Sequence, residues 1–251
     1  MAANPNLLTL FGGSAATPTS MSSSEAVTFY NQSLKNAGKD TERLRADPTI
    51  KRELASLFKA VDKARAPEDL LRDPDARRVL MQGLGLADQV DNAGLAIKAL
   101  TSDPSKPNSL AKQLPDQRWS SAAAQLDFAA SGLKKLKDPA FRQLISDGLV
   151  EYRRLSAISK KSQIVADALA IKALPDTKPN IYTVLGDKVM RRVATTVASL
   201  PDQLALQSIE AQARSLSARF DVDQFADPKK RDKLIQRYLV AASGSGISLM
   251  A

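Results

Sequence analysis

LRDPDARRVLMQGLGLADQV at 71–90 and LGDKVMRRVATTVASLPDQL at 185–204 are the stretches whose reading decides the fold. At an offset of 114 residues they are identical at eight of twenty positions: Leu71/Leu185, Asp73/Asp187, Arg77/Arg191, Arg78/Arg192, Val79/Val193, Leu86/Leu200, Asp88/Asp202 and Gln89/Gln203. Ordinary amino-acid usage gives about one chance identity over such a window. The match predicts two pseudo-repeated helical halves. Each copy opens on an Asp suited to cap a helix, and the first copy ends at Gly85, a residue free to take the left-handed turn that closes one.

Asp-Pro pairs punctuate the rest of the chain, at Asp47-Pro48, Asp73-Pro74, Asp103-Pro104, Asp138-Pro139 and Asp227-Pro228. Asp accepts from the free N–H groups of a helix start, and Pro fits the first helical position because no N–H is needed there. Most of the five are therefore read as helix starts, and capping explains these aspartates without catalysis. One arginine of each repeated pair, Arg77-Arg78 and Arg191-Arg192, is a candidate for a structural ion pair with Asp73 or Asp187.

The remaining helices follow from apolar spacing. A first helix is expected over 24–36, stopping at Gly38. A second starts at Pro48 and shows Ile50, Leu54, Leu57, Phe58 and Val61 on one face. Others are expected at 74–84, 88–100, near 109–114, and from about 118 to 130. Trp119, the only Trp, is read as a core anchor in an Ala-rich interior. Residues 131–137 read as a basic connector. The longest element is expected from 139 to 174 as a rod joining the halves, with Gly148 and Ser159-Lys-Lys-Ser162 as places where it bends or divides. Further helices are expected at 181–184, up to about 199, at 201–220, and from Pro228. The expected fold class is all-α, with 1–22 a disordered tail, 23–137 half one, 138–242 the long connecting helix and half two, and 243–251 a flexible tail.

Composition narrows the chemistry. A chain of 251 residues can bury roughly 70–75% of its unfolded surface without staples. There is no Cys and no His, which removes disulfides, thiol nucleophiles, thiolate zinc sites and the commonest general base. Asp221, Asp223 and Asp227 resemble a calcium loop, but Ala226 stands where Gly is needed and Asp232 where Glu is needed. No phosphate loop or nucleophile elbow occurs. No catalytic, metal or cofactor residue is expected. A carboxylate-based hydrolase would rest only on the presence of Asp and Glu. The net charge of +9 admits a nucleic-acid-binding regulator, yet the basic pairs are dispersed among acids and nucleic acid is disfavoured as a partner.

No apolar run approaches the ~20 residues a membrane span requires. The first Lys or Arg is Lys35, so no cleavable signal peptide is expected and synthesis is placed in the cytoplasm. Residues 1–22, rich in Ser, Thr, Ala and Asn and without charge, read as an untethered tail or as an uncleaved type III export signal.

The residues Glu68-Asp-Leu-Leu71, Gly83-Leu-Gly-Leu86, Leu100-Thr-Ser-Asp103, Asn108-Ser-Leu110 and Leu114-Pro-Asp-Gln-Arg-Trp119 run in an order with a known likeness. Ile181-Tyr, Leu185-Gly-Asp187, Ser199-Leu-Pro201, Gln212, Leu216, Phe220-Asp221 and Tyr238 continue it. From about Asp47 to Ala242 the chain resembles the bacterial family known as domain of unknown function 1217. The resemblance implies a multihelical fold and, because such proteins are commonly encoded among flagellar genes, a link to motility. It carries no catalytic residue. The expectation is a non-enzymatic helical protein of the flagellum, an accessory or structural assembly component with protein partners and possible type III export.

Overall fold

The structure, a computed structural model, describes residues 21–244; of the tails expected at 1–22 and 243–251, residues 1–20 and 245–251 lie outside the described residues. The chain runs through α1 (Ser23–Lys35), α2 (Ala37–Ala46), α3 (Pro48–Lys63), α4 (Pro67–Arg72), α5 (Pro74–Gly83), a 3-10 turn at Ala87–Gln89 and α6 (Ala93–Leu100). It continues with α7 (Leu110–Gln113), α8 (Arg118–Leu126), α9 (Phe128–Ser131), α10 (Lys134–Lys137) and α11 (Pro139–Ser159). Then come α12 (Gln163–Lys172), α13 (Ile181–Gly186), α14 (Lys188–Val197), a 3-10 turn at Asp202–Leu206, α15 (Ile209–Ser217), α16 (Asp223–Ala226) and α17 (Pro228–Gly244). The fold is all-α and multihelical, with no strand among the described residues.

Four of the five Asp-Pro pairs start helices. Asp47 and Asp73 each accept from two backbone N–H groups at the heads of α3 and α5, and Asp227 does so at the head of α17. Asp138 accepts from Phe141 N at 3.0 Å. Asp103 instead holds a turn, accepting from Ser105 N and Oγ at 2.9 and 2.6 Å.

Several expected elements divide. The 139–174 rod is two helices: α11 ends as Lys161 N and Ser162 N donate to Ile158 O at 2.9 and 2.8 Å, and Ser162 Oγ caps α12 by accepting from Val165 N. Asp127 in the left-handed conformation separates α8 from α9. The expected 88–100 helix becomes the 3-10 turn and α6, and Ser208 caps α15 within the expected 201–220 helix. The basic connector contains α10, and α17 extends through Ser243 and Gly244, where a tail was expected. The helix α2 was not expected at all. It buries no residue fully, so apolar spacing could not announce it; Asp40 in its first turn and Arg43 and Arg45 in its last suit the helix dipole.

The chain divides into two compact units, and the division falls inside α1 and α11 rather than at 137/138. One unit is residues 33–157. Its core holds Ile50, Leu57, Val61, Leu71, Leu80, Met81, Leu100, Trp119, Leu126, Ile145 and Leu149, so the first part of α11 belongs to this core. Trp119 is 2% exposed, as a core anchor should be. The other unit comprises residues 1–32 and 158–251; its described core includes Ala26, Tyr30, Val165, Leu169, Val193, Leu216, Phe225, Ile235 and Tyr238.

Within the 33–157 unit, α5 meets α11 through glycine. A Cβ on Gly148 would lie 2.0 Å from the carbonyl oxygen of Gly83, and one on Gly83 would lie 2.8 Å from that of Ile145. The two backbones touch because neither position carries a side chain.

Candidate functional site

The repeated stretches fold alike. The bounds of α4 and α5, shifted by 114, are those of α13 and α14. Asp73 Oδ1 accepts from Asp75 N and Ala76 N at 3.0 and 3.1 Å; Asp187 Oδ1 accepts from Val189 N and Met190 N at 2.9 and 2.8 Å. Both long helices close in the same way. Leu86 N donates to Met81 O at 2.8 Å around Gly85 (φ +77°), and Leu200 N donates to Thr195 O at 2.9 Å around Ser199 (φ +52°). This is the Schellman closure, in which a left-handed residue lets the chain satisfy the last helical carbonyls. In each unit the short helix packs on the helix that follows it and on the one after the 3-10 turn: α4 on α5 and α6, α13 on α14 and α15.

The paired arginines do not take the expected ion pairs with Asp73 and Asp187, whose carboxylates serve as caps. The second arginine of each pair reaches back to a carboxylate on the long helix preceding the repeat. Arg78 Nη1 donates to Glu53 at 3.1 Å and Nη2 to Asp75 at 3.4 Å, while Arg153 Nη2 meets both Glu53 oxygens at 2.8 and 2.7 Å. Arg192 Nε and Nη2 donate to Asp167 at 2.6 and 2.8 Å. Glu53 and Asp167 are also 114 residues apart. Continuing the offset upstream would have found them, beside the identity Ile50/Ile164.

The two nodes differ in depth. Glu53 borders a cleft of about 370 Å³ lined by Thr49, Arg52, Ser56, Asp75 and Arg78. Burial lowers the Arg78 pKa, but its bonds to Glu53 and Asp75 more than offset this and hold the pKa above the ordinary value. Asp167 is 1% exposed and also accepts from Tyr238 Oη at 2.7 Å and Gln163 Nε2 at 2.8 Å. Burial, then Asp167, raises the Tyr238 pKa, so its hydroxyl stays a donor. With its oxygens taken by Arg192, Tyr238 and Gln163, this carboxylate serves as an anchor among helices of its own unit.

The motifs Gly83-Leu-Gly-Leu86 and Leu114…Trp119 meet through Arg118. Its guanidinium donates to Gly85 O at 2.9 Å, to Asp88 at 3.0 Å and to Asp116 at 2.6 Å. Burial acts to lower the Arg118 pKa; the bonds to Asp116 and Asp88 outweigh it and raise the pKa. Among the described residues no cluster of three acidic side chains is placed to hold a metal ion. No described helix is long and apolar enough to cross a membrane.

These features define an all-helical protein of two units, each carrying the same capped helix pair tied by an Arg–carboxylate bond. Residues 83–230, more than half of the chain, match the family described as protein of unknown function (DUF1217). The chain belongs to this family. It is also similar in fold to a crystal structure of an Agrobacterium tumefaciens protein solved as a structural-genomics target, with 21% identity and a TM-score of 0.73 over 91% of this chain and 97% of that one. No curated protein matches the chain significantly.

Proposed function

We propose that this chain is a non-enzymatic helical protein that assists assembly of the bacterial flagellum, as an accessory or structural component binding protein partners. The observation that carries this reading is membership of the DUF1217 family, taken together with the link to flagellar genes that resemblance to that family implies. The side chains add support. Four of the five Asp-Pro aspartates and Asp187 are helix caps, Asp103 holds a turn, and Glu53 and Asp167 are held by arginines, so the conspicuous carboxylates have structural work. Arginines of three of the five basic pairs are tied to carboxylates in the same way, Arg78 and Arg153 on Glu53, Arg154 on Glu151 and Arg192 on Asp167, while Lys160-Lys161 and Lys229-Lys230 stay exposed. This leaves the net charge of +9 a weaker argument for nucleic acid.

Type III export is the finer form of the proposal, with the uncharged residues 1–22 as the segment carrying the signal. The test is a deletion strain complemented by the full chain or by a chain lacking 1–22. The expected result is impaired flagellation and swimming, restored by the full chain. Normal flagella and swimming in the deletion strain refute the flagellar role. Full rescue by the truncated chain, with the protein confined to the cytoplasm, refutes export alone and leaves a cytoplasmic assembly factor.

A further inference from the structure

We propose that the groove between α10 and the start of α11 is a docking site for an acidic segment of a protein partner, one that presents a large apolar side chain flanked by carboxylates. The assembly reading leaves both this surface and the partner's chemistry open, and the proposal does not require the partner to be flagellar.

The groove, of about 550 Å³, is lined by Lys134, Lys135, Asp138, Ala140, Phe141 and Leu144. Leu144 is 46% exposed, Ala140 is exposed and Phe141 is half-buried. A lone exposed Leu needs no explanation. These three apolar side chains do, because the other unit builds the same frame without them. At an offset of 89 residues α10 corresponds to α16, and α11 and α17 each begin at a Pro behind an Asp cap. Arg142 Nε and Arg231 Nε donate to Leu136 O and Phe225 O, six residues back, at 2.9 and 2.8 Å. Ile145, Leu149 and Val150 are buried, and so are their counterparts Leu234, Tyr238 and Leu239. Yet Ala140, Phe141 and Leu144 correspond to Lys229, Lys230 and Lys233, all exposed. A helix start of this form therefore folds with lysine at all three places. Phe141 packs in part against its own core, which leaves Ala140 and Leu144 without such work.

The charges change together with the apolar residues. Lys134 and Lys135 stand where the other unit has Asp223 and Gln224. Lys135 lies 3.5 Å from Asp127, while among the described residues no carboxylate pairs with Lys134 or with Lys137 of the same short helix. Asp138, the one acid in the lining, is engaged as the cap on Phe141 N at 3.0 Å. The start of α11 adds its own partial positive charge. An apolar hollow rimmed by unpaired ammonium groups is complementary to an apolar side chain set between carboxylates. Residues 1–22 and 245–251 contain no Asp or Glu, so these ends of the chain do not supply that charge. A bilayer would take up a projecting apolar face, whereas a hollow receives a projecting side chain, as the anchor pockets of protein interfaces do.

The test selects binders to the whole chain from a displayed library of random twelve-residue peptides, with Leu144→Lys for counter-selection. Survivors are made as fluorescein-labelled peptides and their affinities read by anisotropy. The expected survivors carry Leu, Phe or Met among several Asp or Glu. They should bind Leu144→Lys about tenfold more weakly than the parent, although that change adds a cation, because part of a Leu contact is lost. The double variant Lys134→Gln/Lys137→Gln should also weaken binding severalfold, and so should rising sodium chloride. No survivors, survivors without an acidic excess, or binding that tightens on Leu144→Lys overturns the proposal. Sedimentation with phosphatidylserine vesicles and analytical ultracentrifugation run beside it. Vesicle binding lost in Leu144→Lys makes the groove a lipid contact, self-association lost in Leu144→Lys makes its occupant a second copy, and either result overturns the proposal. Leu144→Lys is expected to fold, since α17 carries Lys233 at that place. Where it does not, Ala140→Lys at an exposed position takes its part.

Discussion

Adding one methyl group at Gly148 should destabilise this protein, against the usual effect of that change in a helix. Gly148 lies inside α11, where Ala is intrinsically favoured over Gly by about 1 kcal/mol. Here the new Cβ would sit 2.0 Å from the Gly83 carbonyl oxygen, 2.9 Å from its carbon and 3.2 Å from its Cα. A carbon normally stops about 3.3 Å from such an oxygen. The helices must therefore part by more than about 1 Å, and the obstacle is backbone that cannot rotate aside. Overpacking of this kind costs ~1–3 kcal/mol, and separation would also open the contacts of Ile145 and Leu149, both fully buried beside the crossing. With the helix gain set against these losses, the net expectation for Gly148→Ala is a loss of about 2 kcal/mol, or about 4–8 °C in Tm at this chain length. Denaturant unfolding of the variant beside Gly94→Ala measures it. A Cβ on Gly94 meets nothing within 4 Å, so that change should be neutral or stabilising. Equal or greater stability of Gly148→Ala would refute the reading of α5 and α11 as backbone-to-backbone neighbours.

Four further outcomes follow from the same geometry. Ser199→Gly should stabilise the chain by ~1 kcal/mol in chemical denaturation, because Ser199 holds the positive φ that Gly85 holds without a Cβ. Asp73→Ala and Asp187→Ala should each cost ~1 kcal/mol as lost caps and add in the double variant, since each acts in its own unit. Asp167→Ala should cost ~3–5 kcal/mol in the same assay, because it strands Arg192 and the Tyr238 hydroxyl. Burial, then the charge of Asp232, pushes the Tyr30 pKa up to about 12. The neutral phenol is thus favoured by folding: its stabilising contribution is complete below pH 10 and is lost as the pH rises toward 12. Tyrosinate absorbance of Tyr30→Phe against the parent should show the missing group titrating near pH 12.

Caps were the most legible feature of the sequence because their chemistry is local. Asp before Pro, or Ser before an apolar run, needs only its own next residues to act, and four of the Asp-Pro pairs act so. The repeat was legible for a related reason: identical neighbours at 114 residues build the same cap, helix and left-handed closure wherever they are placed. Helix breaks were harder. Ser162, Asp127 and Ser208 interrupt stretches whose apolar spacing continues across them, so periodicity ran through. The exposed helix α2 escaped because it has no buried stripe to read.

What the sequence determined by itself, then, is the all-helical class, the helix starts and the kinship of 71–90 with 185–204, all set by interactions a few residues long. Tertiary structure alone decided where each arginine goes. Arg77 and Arg191 share a sequence context, yet one caps Leu71 O and the other is left with a buried, unbonded Nε. The reason is physical: a guanidinium on a long stem chooses among acceptors that only packing brings within 3 Å, and the packing around the two copies differs.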